Sequence, residues 1–497
     1  MLWSAPWIEA LRARPGTAAL LAGLFLALLW VAVPLIFYAA PPRALVEYLI
    51  YAREWRATPD SGGPLAAWAQ AIAFSIAGMT GVYILYAAST VASAWLAYRM
   101  ARRLLGRAMG GAAALLMVAM LAIVAPFSPD RLVLPVTLWL MREAWRLLVE
   151  RKSYGWPLVA AAAGAALFCG WTGWAAIATV GLLLGFTPGG REALRSPDLV
   201  RPIAVLLTFV VPFLFWVGFA VAENGFGLTG FRAVLPVLLL STVAGALAAG
   251  GVIALAASPL GDRAHVGDVP ELTRPPLPPP GPTFLRAFGF TPLVLFAVLS
   301  PFGVAASFLG SSALVAAATA LVAVRSERAG IHRRRLVSLL WLFCLLAPPL
   351  ASAALVVAGP QLRGRAEEAN FPARAVAVPL TQAAASRTGR PLSIIGGDSF
   401  LAGALALASP ARPTVMPEAD PSRAPWISAD RLARDGMVMV WRITDRNVEP
   451  PAALRARWPN LRPEAPIVVQ WSFGGRLEPA RIGWAIVPGA AGTTPAQ

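Results

Sequence analysis

Thr17-AALLAGLFLALLWVAVPLIFY-Ala39 is a run of 23 residues without one charged side chain. As a helix rising 1.5 Å per residue it would be about 35 Å long, enough to cross the roughly 30 Å hydrocarbon core of a bilayer. Arg12 and Arg14 precede it and no small-residue cleavage pattern follows, so it reads as a retained anchor rather than a removable signal. The rest of the chain repeats this character. Of its 497 residues 58% are hydrophobic and only 13% charged, more apolar surface than a soluble core of this length could bury.

Further apolar segments lie at about 79–98, 108–125, 131–148, 157–171, 172–187, 202–221, 232–257, 286–304, 306–324 and 336–358. The 157–187 stretch reads as one long span or as two short ones broken at Gly170-Trp171-Thr172-Gly173, and charge decides between them. With two spans there, the clusters Arg99/Arg102/Arg103/Arg107, Arg142/Arg146/Arg151/Lys152, Arg191/Arg195/Arg201 and Arg325/Arg328/Arg333/Arg334/Arg335 all fall on one side. The positive-inside rule makes that side cytoplasmic. The expectation is therefore a polytopic α-helical protein of about eleven spans in a bacterial inner membrane. Residues 1–364 form the membrane domain, with a first periplasmic loop at 40–78. Residues 365–497 form a small periplasmic α/β domain.

The net charge of +17 does not point to nucleic acid, because the basic residues come in short clusters between apolar runs and form no single face or tail. Cys169 and Cys344 lie inside apolar stretches and read as small buried hydrophobes. His265 and His332 sit in Arg-containing loops. Chemistry is thus left to carboxylates, arginines, tyrosines and main-chain groups. No cofactor or metal site is indicated, although a divalent cation would be compatible with such chemistry.

The segment around Val269-PELTRPPLPPPG-Pro282 cannot be helical and reads as a polyproline-like cytoplasmic linker, taken as 259–285. After Arg365, helix-like segments near 371–388, 399–408, 428–435 and 450–457 alternate with strand-like runs at 392–395, 437–441, 467–471 and 482–487. That alternation predicts an α/β domain. Gly396-Gly397-Asp398-Ser399 reads as a turn into a helix capped by Asp398 or Ser399.

Long external loops are uncommon in compact membrane bundles, so Pro41 to Ile76 is where function is expected. Glu47, Tyr51 and Glu54 follow i, i+4, i+7 spacing and share one helical face, while Leu45, Leu49 and Ala52 turn elsewhere. The spacing fits either a catalytic surface or a plain solvated face. A second helix follows the breaker-dense turn Thr58-PDSGG-Pro64, and Trp55 and Trp68 read as interfacial anchors. Asp130, in Pro126-FSPD-Arg131, stands at the external mouth of the fourth span, with Arg131 as the expected partner of its charge.

The long first loop, Ser128-Pro-Asp130 at the fourth span, Glu54-Trp55, Pro64-LAA-Trp68 and the stretch from Ile394-IGGDSFLA-Gly403 resemble the GT-C superfamily of polyprenyl-phosphate-sugar glycosyltransferases. The likeness is strongest to the bacterial branch related to protein mannosyltransferases and the lipid A aminoarabinose transferase. It implies a polyprenyl-phosphate-sugar donor, a lipid, glycan or protein acceptor in the envelope, and a periplasmic active site. In that family an Asp early in the loop activates the acceptor hydroxyl. The frame places Ala44 there, puts Gly62 and Gly63 at the family's basic residue and first Pro, and puts Trp171 at its Lys. The resemblance then implies that Glu47 or Asp60 stands in as base beside Asp130. Tyr51, Arg53, Glu54 and Arg131 become the substrate-binding residues, the arginines matching phosphate geometry. The alternative is a silent homologue that scaffolds an envelope complex. A transporter would need repeated halves and charged spans, and neither is present.

Overall fold

The computed structural model describes residues 5–56, 63–124, 126–151, 155–195, 199–224, 234–259, 271–299, 312–324, 327–443, 448–475 and 477–489. Asp60, Gly62, Lys152, His265 and Arg325, singled out above, lie outside them. The chain divides into two compact units, one of Met1–Ala32 with Ala57–Pro349 and one of Val33–Arg56 with Leu350–Gln497.

The first unit is helical. It begins with α1 (Ala5–Ala13) and the greater part of α2 (Pro15–Phe37); α3 (Arg43–Arg53) belongs to the second unit. Next comes α4 (Leu65–Ala122), whose helical run is broken at Ala77, Gly78 and Gly106. It is therefore three helices in succession, of which the first is the expected loop helix and the others the expected second and third spans. Then follow α5 (Pro129–Leu148), α6 (Gly155–Leu167), α7 (Gly170–Phe186) and α8 (Pro188–Leu194). The expected break inside 157–187 falls at Phe168-Cys169, immediately before the predicted turn begins. The unit continues with α9 (Val200–Asn224), α10 (Val234–Ala256), β1 (Glu271–Thr273), α11 (Gly281–Leu299), α12 (Ala313–Ala323), β2 (Arg328–Gly330) and the first half of α13 (Arg334–Arg363). Residues 274–278 are neither helix nor strand, as their prolines require, but the flanking residues are ordered into elements. β1 pairs antiparallel with β2, and α11 starts inside the stretch read as linker.

Among the described residues, five helices are individually long and apolar enough to cross a bilayer, and the α7–α8 pair, bent by 92°, makes a sixth candidate. The count falls short of eleven because α4 is tallied once despite its breaks, and because α6 and α12, at 13 and 11 residues, are short. Large apolar side chains on the outside of these helices, such as Leu28, Ile36, Leu214, Phe215 and Phe343, identify the surrounding solvent as lipid. Inside, three threonine hydroxyls are satisfied locally. Thr90, Thr179 and Thr319 donate to the carbonyls of Tyr86, Ala175 and Val315 one turn back. The one buried carboxylate of α5, Glu143, is ion-paired with Arg142 at 3.3 Å and Arg146 at 2.7 Å.

In the second unit, α3 is followed in sequence by the end of α13, a 3₁₀ turn (Glu368–Asn370), α14 (Ala373–Thr388), β3 (Ile394–Gly397), α15 (Ser399–Ala408), β4 (Thr414–Pro417), α16 (Ala429–Asp435), β5 (Met437–Ile443), α17 (Ala452–Arg457), β6 (Ile467–Val469) and β7 (Ala480–Val487). The predicted helices and strands are all present, and β4 is an additional strand. Its run Thr414-Val-Met-Pro417 is short and ends in proline, too weak a signal to read alone. The sheet order is β4-β3-β5-β7-β6, parallel from β4 to β5 and antiparallel beyond. Alternation along the strands sorts two cores. Ile395, Val438, Val440, Ile482 and Trp484 face a layer made by α3, α14 and α15, whereas Ile394, Met437, Met439, Trp441 and Ala485 face Leu432 and Leu454 from α16 and α17.

The loop helix α3 is thus part of this α/β unit. Its Val46 and Ile50 pack where α15 has only Gly403, and a Cβ there would lie 2.6 Å from Val46 Cγ1. Gly403→Leu is expected to cost about 1–3 kcal/mol by overpacking. It should appear as a lowered unfolding midpoint of the purified protein in detergent; an unchanged midpoint would mean that α3 does not pack there.

Candidate active site

Within the second unit, the base of α3 carries a compact charge cluster. Arg43 opens the helix and Glu47 follows one turn later, the i, i+4 spacing that brings their side chains together. Arg43 Nη1 donates to Glu47 Oε1 at 3.3 Å, and its Nε donates to Glu368 Oε1 at 2.5 Å. Nη1 also lies 3.9 Å from Asp398 Oδ2, and the guanidinium sits 5.2 Å from the centre of the Phe400 ring. Asp398 Oδ1 meanwhile accepts the Leu401 N–H at 2.9 Å, which makes Asp398 the N-cap of α15. Asn370 holds the turn that carries Glu368. It is fully buried, and its amide donates to the carbonyls of Val356 at 2.7 Å and Ser472 at 2.9 Å. Glu47 stays half-exposed, its side chain 40% accessible. Burial raises its pKa and Arg43 opposes the rise, while Asp398 and Glu368 add to it.

The other residues predicted on that face do not join this cluster. Tyr51 stacks edge-on against Trp426 at 5.5 Å. Glu54 ends α3, and its pKa is raised by burial against the opposing charges of Arg53, Arg431 and Arg56. Arg53, expected to meet phosphate, donates instead to the main-chain oxygens of Arg412 at 2.7 Å and Pro413 at 3.3 Å. Helical spacing predicted a shared face, but each side chain answers to a different neighbour in the α/β unit.

Within the first unit, Asp130 lies in the opening turn of α5, capped by Ser128. Its Oδ1 accepts the Thr172 hydroxyl at 2.9 Å, and its Oδ2 lies 3.3 Å from Ser128 Oγ. Thr172 belongs to the first turn of α7, so the break at Phe168-Cys169 brings a hydroxyl to this carboxylate. Trp171, at the position expected to hold the family's lysine, packs edge-on against Trp174 with centroids 4.6 Å apart. Gly63 lies against the same break: a Cβ would meet Gly170 N at 2.1 Å, so neither proline nor any larger residue fits this backbone. Leu65 N–H donates to Phe168 O at 2.9 Å and completes the seam.

The expected pairing of Asp130 with Arg131 is corrected by the structure. Arg131 is 3% exposed and turns its guanidinium to main-chain carbonyls, donating to Val124 at 3.0 Å and to Leu121. Leu121 O lies in the last turn of α4, where it also accepts the Val124 N–H at 3.2 Å, and Val124 O lies just past the helix end. Arg131, like Arg53, thus spends donors on main-chain carbonyls. Thr172, Glu368 and Arg43 escaped the sequence reading. Only the Arg43–Glu47 spacing could have revealed one of them, because Glu368 is 325 residues away from Arg43. Arg131→Met is expected to cost about 1–3 kcal/mol, from loss of the hydrogen bonds to the Leu121 and Val124 carbonyls out of water. The measurement is thermal unfolding in detergent, and a wild-type midpoint would show that the cap is dispensable.

Residues 60–216 match the family model described as dolichyl-phosphate-mannose-protein mannosyltransferase. No curated protein matches the chain. Among solved structures, ArnT from Cupriavidus metallidurans bound to undecaprenyl phosphate aligns with a TM-score of 0.51 at 14% identity, over 95% of this chain and 97% of that one. The apo form of the same protein aligns with a TM-score of 0.51 at 14% identity, over 92% of this chain and 96% of that one. The mannosyltransferase match is thus confined to residues 60–216, while the fold shared with ArnT extends over nearly the whole chain.

Proposed function

We propose that the protein transfers a sugar from a polyprenyl-phosphate donor to a lipid, glycan or protein acceptor on the periplasmic side of a bacterial inner membrane. In this reading the chain crosses the membrane about eleven times, with the 40–78 loop and residues 365–497 outside and the 259–285 segment in the cytoplasm.

The observation that carries the proposal is the state of Glu47. Ala44 and Glu47 lie three residues apart on α3 and are neighbours on one face, so a carboxylate at Glu47 replaces the missing one within a single helical turn. It is half-exposed and held by a guanidinium, and its pKa is raised by burial, as a base operating near neutrality requires. Glu47 accepts the proton of the acceptor hydroxyl as its oxygen attacks the anomeric carbon. The bond to the lipid phosphate breaks, and the phosphate departs with the electron pair. Being a good leaving group, it needs no proton. Asp130, aimed by Thr172 and Ser128 within the first unit, is a separate candidate catalytic carboxylate. Asp60 remains the second candidate for the base. The ArnT fold and the mannosyltransferase match support transfer over the scaffold alternative.

Removing a positioned general base costs about 10²–10⁴-fold in rate. Glu47→Gln is expected to reduce transfer from labelled donor lipid by that factor in purified full-length protein, and Asp130→Asn to reduce it less. Wild-type rates in both variants would overturn the assignment, and unimpaired transfer in Glu47→Gln with loss in Asp60→Asn would move the base to Asp60.

A further inference from the structure

We propose that Arg43 is a positioning residue whose charge is divided between Glu47 and Glu368, so that Glu368, far from the loop in sequence, tunes the base of the reaction. The proposal rests on the reading of Glu47 as that base.

The geometry shows a competition. One guanidinium faces three carboxylates, and its nearest contact, 2.5 Å from Nε, goes to Glu368, not to Glu47 at 3.3 Å or Asp398 at 3.9 Å. Glu368 cannot drift toward solvent with its turn, because buried Asn370 ties that turn to Val356 and Ser472, and Ala39 and Ala40 both donate to Ala369 O. Asp398 is engaged at its other oxygen as the cap of α15. Phe400, fully buried, places its ring beside the guanidinium and restricts its swing. Arg43 is thus held by partners other than Glu47, and Glu47 receives the remaining share of its field.

The charged groups facing Glu47 are Arg43 on its own helix, Asp398 at the start of α15 and Glu368 in the 3₁₀ turn. From α15, the element packed on α3, Phe400 and Gly403 carry no charge. The signs are therefore opposite for the two partners. Arg43 stabilises the carboxylate form of Glu47, so its loss must raise the pH at which Glu47 ionises. Glu368 both repels that carboxylate and draws the guanidinium away, so neutralising Glu368 must lower it. The opposite signs follow from the charges alone; a cluster that only held the fold together would not make the acid limb of the transfer rate follow each shift.

The test is a pH titration of the Glu47 carboxyl by difference infrared spectroscopy on purified full-length protein, with Glu47→Gln identifying the band. Arg43→Gln is expected to raise the midpoint by about one pH unit. Glu368→Gln should lower it by a measurable fraction of a unit, and Arg43→Lys should fall between Arg43→Gln and wild type. Should Arg43→Gln fail to fold, the Glu368→Gln and Arg43→Lys shifts decide the matter alone. In the transfer assay the acid limb of the rate profile should move with each midpoint. Midpoints that stay at the wild-type value, or that move in the same direction in both glutamine variants, overturn the proposal. If the midpoints move as expected while Glu47→Gln transfers at the wild-type rate, the tuning stands and it is the reading of Glu47 as base that fails.

Discussion

In hydrocarbon a main-chain N–H or C=O without a partner costs several kcal/mol, and this constraint organises the helical unit. Regular helices satisfy it by themselves. The difficulty arises where a helix stops at membrane depth, and those are the places where unusual residues gather. At the end of α4, Arg131 supplies N–H groups to the carbonyls of Leu121 and Val124, while Tyr86 donates to Phe127 O at 3.0 Å and Ser89 donates to Arg131 O. At the α6–α7 break, Leu65 donates to Phe168 O, and Gly63 is small enough to let the backbones meet. Residues that read as charge carriers or as departures from a family motif thus have a structural duty that comes first.

That duty changes how the missing family residues are understood. Gly63, where the family frame has proline, is imposed by a neighbouring main chain 2.1 Å from where a Cβ would stand. Trp171, where the frame has lysine, joins an aromatic pair beside Thr172. Such substitutions rebuild the local packing around the break instead of merely deleting function. Around α3 the same principle acts through charge. Three carboxylates share Arg43, and two of them, Glu368 and Asp398, come from the C-terminal part of the same unit. The electrostatic state of the first-loop helix is therefore set by residues that lie more than 300 positions later in the chain.

Much of this molecule was legible beforehand because its signals are local. Apolar run length located the long apolar helices, although α4 joins two of the predicted segments and the predicted loop helix in one element. The alternation of helix-like and strand-like runs after Arg365 gave the α/β unit, and Asp398 was recognisable as a cap from its place before Ser399-Phe-Leu401. The candidate site was legible only in part. Glu47 and Asp130 could be named because acidic residues are scarce here and stand at exposed positions. The local partners of Tyr51, Arg53 and Arg131 were not legible, since helical spacing reports which way a side chain leaves its own helix and nothing of what waits there.

By itself, then, the sequence determined that this is a multi-spanning membrane protein with a mixed α/β end and a charged first loop, because hydrophobic length, periodicity and charge placement are properties of contiguous residues. Only the tertiary structure decided that α3 packs on α15, that Arg43 is shared with Glu368 and Asp398, that Thr172 meets Asp130, and that Arg131 serves main-chain carbonyls. Each of these depends on groups brought together from distant parts of the chain. The energy of such a contact is set by distance and burial, which no local pattern of residues encodes.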